Sequence, residues 1–124
     1  MREGRQIKRI LLVEDHALFL GALAEFLSHQ PGFEVVAQAG SLAEARGVAS
    51  SEIDVAVIDI YLPDGDGLDL VRQLREEAPH VRTLVLTGSV DPDAEVLAKE
   101  AGVDEVILKS AGIVQIADAI THLP

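Results

Sequence analysis

A chain of 124 residues, 48% hydrophobic and 25% charged, suits one globular domain: long enough to bury a core and too short for two ordinary ones. Its lack of cysteine excludes disulfides, thiolate metal sites and cysteine nucleophiles, and no apolar stretch approaches the ~20 residues of a membrane-spanning helix. The net charge of −11 becomes −14 without residues 1–9, and the only aromatics are Phe19, Phe26, Phe33 and Tyr61, so neither phosphate attraction nor base stacking supports nucleic-acid binding by this chain.

Residues 1–7 form a polar lead-in without the apolar region of a secretory signal, which places the expected protein in the cytoplasm. Lys8 to Val13 reads as a first strand that stops at the acid pair Glu14-Asp15. From His16 to His29 the apolar residues Phe19, Leu20, Leu23, Phe26 and Leu27 share one helical face, and Pro31-Gly32 closes the helix. Glu34 to Ala39 is a second strand. Ser41-Leu42-Ala43-Glu44 has the form of a capping box opening a helix that should run to about Ser50.

Val55 to Ile58 is wholly apolar, as in a strand buried on both faces of a parallel sheet, and it ends in Asp59. Pro63 and the Asp64-Gly65-Asp66-Gly67 run supply a turn, and Asp66 can cap a third helix carrying Leu70, Val71 and Leu74, with Pro79 as its stop. Val81 to Thr87 is the fourth strand. Asp91-Pro92 is a cap followed by proline in the first turn of a helix that ends at Gly102. Glu105 to Leu108 is the fifth strand, ending in Lys109, and Ile113, Ile116, Ala117 and Ile120 give the last helix its buried stripe. Strand and helix alternate throughout, which implies a doubly wound α/β domain with a parallel sheet, right-handed crossovers and helices on both faces.

Parallel strands bring their C-terminal ends to one rim, so Glu14, Asp15, Asp59, Thr87 and Lys109 should meet there. Carboxylates within ~4 Å repel by several kcal/mol per pair at an effective dielectric of ~20 and require compensation. Oxygen-only donors from Asp15 and Asp59, with Glu14 acting through water, suit Mg2+, with Mn2+ as the alternative. Lys109 and Thr87 are not needed for a metal. They are needed if a phosphoryl group arrives, because its equatorial oxygens then require further partners while Asp59 supplies the nucleophile.

Val13-Glu14-Asp15-His16, Asp59 with Leu62-Pro63-Asp64-Gly65-Asp66-Gly67, Leu86-Thr87-Gly88 and Leu108-Lys109-Ser110 together resemble the receiver domain of a two-component response regulator. The resemblance extends from about Lys8 to the end of the chain, and is greatest to the LuxR/NarL type. It implies a flavodoxin-like (βα)5 sheet of order 2-1-3-4-5 as one receiver domain over residues 8–124. Asp59 would be the phosphoacceptor, with Asp15, Asp59 and the Tyr61 carbonyl holding magnesium. Glu14 would complete the acid pair, Thr87 would be the switch hydroxyl and Lys109 the phosphate-contacting lysine. The implied role is that of a regulatory phosphoacceptor, not a turning-over enzyme. Its implied partners are a sensor histidine kinase or phosphotransfer protein and a DNA-binding output domain outside this chain, and dimerisation is compatible with the type.

Two departures stand out: Val106 occupies a position where receivers commonly carry Tyr or Phe, and serine instead of proline follows Lys109. A phosphatase of the haloacid-dehalogenase kind would need a second aspartate where this chain has Tyr61, and a docking-only pseudo-receiver would not need the full acid, threonine and lysine set. His16 is expected to cap its helix or face solvent, and Leu20 to pack as a core residue. His29, His80 and His122 are expected near helix ends, where positive charge is favourable. Asp64-Gly65-Asp66-Gly67-Leu68-Asp69 lacks the acid or amide that a calcium loop needs at its fifth position. Tyr61 and Ser89 are expected to flank the site.

Overall fold

The computed structural model describes residues 6–88 and 91–124. The chain runs β1 (Lys8–Val13), α1 (Ala17–Ser28), β2 (Phe33–Ala39), α2 (Leu42–Arg46), β3 (Val55–Asp59), α3 (Gly67–Glu77), β4 (Arg82–Thr87), α4 (Pro92–Ala101), β5 (Glu105–Leu108) and α5 (Ile113–Thr121). The five strands form one parallel sheet of order β2-β1-β3-β4-β5, the order expected from the sequence.

β3 lies at the centre of the sheet, and every one of its residues is buried. Its side chains alternate between faces. Val55 and Val57 join Leu23, Leu27, Ile116 and Ile120 beneath α1 and α5, whereas Ala56 and Ile58 join Leu42, Leu68, Val71 and Ala98 beneath α2, α3 and α4. Leu20 is half-buried against the first of these cores and Val106 against the second.

Helix boundaries follow their caps. The Asp66 carboxylate accepts the Leu68 amide, the Asp91 carboxylate accepts the Asp93 amide ahead of Pro92, and α4 ends at Gly102, whose φ of +94° is left-handed. The capping box at α2 is shifted: Ser41 Oγ accepts the Glu44 amide as expected, but the Glu44 carboxylate takes the amide of Gly40 instead of Ser41.

Two further local features differ from the sequence reading. α2 ends at Arg46 instead of near Ser50, and a separate 3-10 turn spans Ser50–Glu52. Gly47 is a poor helix former, and the amides of Gly47 and Val48 turn to the carbonyls of Glu44 and Ala45, three residues back; this tightening closes the helix and leaves Val48 packed on the core. Between β3 and α3 the turn contains a small antiparallel hairpin, Tyr61–Leu62 against Gly65–Asp66. Pro63 and positive-φ Gly65 allow that reversal.

Candidate functional site

The rim at the C-terminal ends of β1, β3, β4 and β5 gathers the acids and the lysine. Glu14 follows β1, its amide donated to the Ala39 carbonyl at 2.9 Å, and its side chain is only 1% exposed. One carboxylate oxygen, Oε2, accepts the His16 amide at 2.9 Å, which caps the start of α1 from the strand side. The other, Oε1, lies 2.8 Å from Lys109 Nζ. Asp59, 4% exposed, is held from two directions: Oδ1 accepts the Tyr61 amide at 3.1 Å and Oδ2 accepts a hydrogen bond from Lys109 Nζ, also at 3.1 Å.

A single ammonium therefore bridges the two buried carboxylates. Lys109 arrives there because it follows β5 directly, and Leu108 pairs with Thr87 at the end of β4. Thr87 is buried between the strand ends that carry Asp59 and Lys109, with Leu86 in register with Asp59. Asp15 is exposed beside Glu14, and one ligand atom each from Glu14, Asp15 and His16 lie within 4.8 Å of one another. Tyr61 presents an exposed ring, while its backbone is fixed by Asp59 and by pairing with Asp66.

The charges do not balance. Burial pushes the Asp59 carboxyl above its ordinary value; the Tyr61 amide and Lys109 oppose this, while the neighbouring Glu14 charge adds to it. Burial acts on Glu14 in the same direction, but hydrogen bonds from Lys109 and the His16 amide outweigh it and hold Glu14 below the usual carboxylate range. For Lys109 the two acids more than offset burial, so its ammonium is held more firmly than a free lysine's.

This donor set fits a hard divalent cation. Asp15 and Asp59 carry carboxylate oxygens and Tyr61 a carbonyl that could serve it. Glu14 and Asp59 share one ammonium and Asp15 adds a further carboxylate beside Glu14, although the ligand atoms that lie within 4.8 Å of one another are those of Glu14, Asp15 and His16, without Asp59.

A model of the response regulator receiver domain matches residues 10–121. The chain belongs to that family. It is 36% identical over 113 residues to the DNA-binding transcriptional activator DevR/DosR of Mycobacterium tuberculosis, covering 90% of this chain and 52% of that protein. It is 32% identical over 113 residues to the response regulator protein VraR of Staphylococcus aureus, covering 90% and 54% respectively. The chain thus spans about half the length of these relatives. Its backbone superposes on the signal receiver domain of the putative response regulator NarL from Mycobacterium tuberculosis with a TM-score of 0.86, at 25% identity and 94% coverage of each chain. The LuxR/NarL resemblance read from the motifs is thereby upheld.

Some features of the receiver site were not legible in its motifs. The Phe19 ring lies 5.1 Å from Lys109 Nζ, within cation–π range, and His16 Nδ1 lies 3.4 Å from the same nitrogen. His16 is exposed as expected, but its side chain makes no capping bond. Gly67 is required by contact: a Cβ there would fall 2.1 Å from the Asp59 carbonyl oxygen. A glycine at the start of α3 could have signalled such a close approach, whereas the approach of Phe19 to Lys109 has no local signal. His29 and His122 bond to carbonyls in the last turns of α1 and α5, and His80 contacts the Ile53 carbonyl. Ser89 lies outside the described residues.

Proposed function

We propose that this receiver is a magnesium-dependent phosphoacceptor switch, with Asp59 taking a phosphoryl group from the phosphohistidine of a sensor kinase or phosphotransfer protein. The observation that carries this reading is the buried Asp59 carboxylate, held between the Tyr61 amide and a lysine that it shares with Glu14. An Asp59 oxygen attacks phosphorus in line, the P–N bond breaks, and the departing imidazole nitrogen takes up a proton. Lys109 is already within hydrogen-bond reach of the carboxylate and pairs with a transferred oxygen as charge develops on it. The Thr87 hydroxyl serves a second oxygen, and its movement carries the change into the chain that follows β4.

Asp15, Asp59 and the Tyr61 carbonyl would hold Mg2+ or Mn2+, with Glu14 as the second member of the acid pair. When bound, that ion neutralises phosphoryl charge and orients the incoming group. Residues 8–124 act as the single receiver unit behind the 1–7 lead-in, working in the cytoplasm beside the kinase. Because the relatives reach beyond this region, a DNA-binding output is proposed for the full-length protein.

The test is incubation with magnesium and acetyl phosphate followed by intact-mass and peptide analysis. The expected result is a gain of one phosphoryl group on the peptide containing Asp59, lost on removing magnesium and absent in Asp59→Asn. Acid-labile phosphate persisting on the same peptide in that variant would overturn the assignment. Turnover of a generic phosphomonoester would favour the phosphatase reading instead, and no mass gain would favour a docking module.

A further inference from the structure

The turn that carries the Tyr61 carbonyl is fixed to the rest of the molecule at its far end as well as at Asp59. Near Asp59 the turn is closed by the Tyr61–Asp66 and Leu62–Gly65 pairs and by the Gly67 amide bonding to the Ile60 carbonyl at 2.8 Å. At its tip, Asp64 reaches out to α2. Its two carboxylate oxygens accept the Leu42 amide at 2.8 Å and the Ala43 amide at 2.9 Å, the first free amides of that helix. Next to it, a Cβ on Gly65 would meet the Leu42 side chain at 2.8 Å, so turn and helix are also in close packing contact. α2 in turn follows Gly40 and β2, whose last carbonyl, that of Ala39, receives the Glu14 amide.

We infer that Asp64 is a positioning residue: by clamping the tip of the turn onto the start of α2, it sets the Tyr61 carbonyl and the Asp59 carboxylate in the arrangement that receives the metal ion. The inference rests on the metal-dependent phosphoacceptor reading above. Ser41 distinguishes this role from ordinary helix capping. Its hydroxyl accepts the Glu44 amide of the same helix but makes no bond to the turn, so losing it frays α2 without releasing the clamp. Asp64→Ala removes both amide acceptors, and Asp64→Asn keeps one.

Reciprocity gives a second consequence. If the clamp favours metal binding, metal binding must tighten the clamp by the same factor, so magnesium should slow hydrogen exchange at the Leu42 and Ala43 amides.

The experiment titrates magnesium into the parent, Asp64→Ala, Asp64→Asn and Ser41→Ala proteins, following the fluorescence of Tyr61, the chain's one tyrosine in the absence of tryptophan. Circular dichroism confirms folding of each variant. Outer partners of metal ligands are commonly worth roughly tenfold or more in affinity. Asp64→Ala is therefore expected to weaken magnesium about tenfold and slow labelling by acetyl phosphate to match, with Asp64→Asn between it and the parent. Ser41→Ala should leave both quantities unchanged. Equal effects from Ser41→Ala and Asp64→Ala, or an Asp64→Ala protein matching the parent in magnesium affinity, would overturn the inference. A parent that neither binds magnesium nor accepts phosphate would instead overturn the reading on which it rests.

Discussion

At the N-terminal edge of the sheet, the carboxylates of Asp54 and Asp104 each meet at least one arginine. Arg9 bonds to both carboxylate oxygens of Asp54, whose Oδ2 also accepts the Arg9 backbone amide. Lys8 donates to the Ile120 and Thr121 carbonyls at the end of α5, and Asp104 accepts the Thr83 amide while facing Arg75 and Arg82. At the opposite edge, Glu14 and Asp59 share one ammonium while Asp15 stands beside Glu14. Both edges use carboxylates and cations at strand ends, yet one edge is compensated and open to water while the other is buried and acid-rich. The first pattern fastens the strands and α5. The second keeps a charge deficit where an incoming cation and phosphoryl group can use it.

Removing one cation from each edge should expose the contrast most strongly. Lys109→Ala leaves two buried carboxylates without their ammonium. Breaking a buried pair commonly costs ~3–5 kcal/mol, and because Lys109 is partly exposed we expect about 2–3 kcal/mol at neutral pH, with labelling by acetyl phosphate reduced by orders of magnitude. Arg9→Ala opens a pair whose side chains are each more than a third exposed, so its stability loss should be several times smaller and its labelling rate unchanged. Urea unfolding curves and a labelling time course test both. Equal stability losses from the two variants would remove the distinction between the edges.

Asp59→Asn probes the same contrast with the opposite sign. The variant leaves one ammonium for one buried carboxylate. We expect its melting temperature to exceed the parent's by about 4 °C at neutral pH, the shift that ~1 kcal/mol produces in a domain of this size. The pH dependence follows from the raised Asp59 value: its stabilising contribution is full below the unfolded-state value near ~4 and is lost as pH rises through the higher folded-state value. The advantage of the asparagine variant should therefore grow from about pH 4 toward neutrality. Asp54, held low chiefly by its hydrogen bond to Arg9 and further by the Arg9 amide and charge against a burial effect that raises it, contributes stability above the unfolded-state value and loses it as pH falls through its lower folded-state value. Melts of the parent, Asp59→Asn and Asp54→Ala across pH 3 to 7 should show these opposite trends, and parallel curves would contradict both assignments.

The parts of this molecule written as local patterns were legible in its sequence. The apolar Val55–Ile58 run ending in Asp59 identified the central strand, and Asp66, Asp91 and Gly102 marked helix ends that the structure keeps. Alternating strands and helices were enough to bring Glu14, Asp59, Thr87 and Lys109 to one rim. Contacts between distant segments were less legible. Asp64 finds its amide partners 21 and 22 residues earlier, and nothing local in the Asp-Gly-Asp-Gly run distinguishes a clamp from a solvated turn. The expectation that the clustered acids call for a cation was only partly specific, because Lys109 already neutralises much of the repulsion between Glu14 and Asp59. α2 fell short because its capping signal marks a beginning, whereas its end depends on Gly47 and the burial of Val48.

The smallest expected effect concerns how firmly that lysine is held. Lys109 Nζ lies 5.1 Å from the centre of the Phe19 ring, a half-buried residue that also packs on the core beneath α1 and α5. Phe19→Leu keeps an apolar side chain there but removes the π face, whereas Phe19→Tyr retains it. A partly exposed cation–π contact is worth ~0.5–1 kcal/mol, which corresponds to roughly a two- to fivefold change in any equilibrium that requires Lys109 in place. The leucine variant should bind beryllofluoride, a mimic of the attached phosphoryl group, more weakly by about that factor, while the tyrosine variant matches the parent. Comparing the two variants by chemical denaturation separates the lost ring contact from a general packing defect. If leucine weakens beryllofluoride binding only in proportion to its loss of stability, Phe19 acts as a core residue and Lys109 is positioned by Glu14 and Asp59 alone.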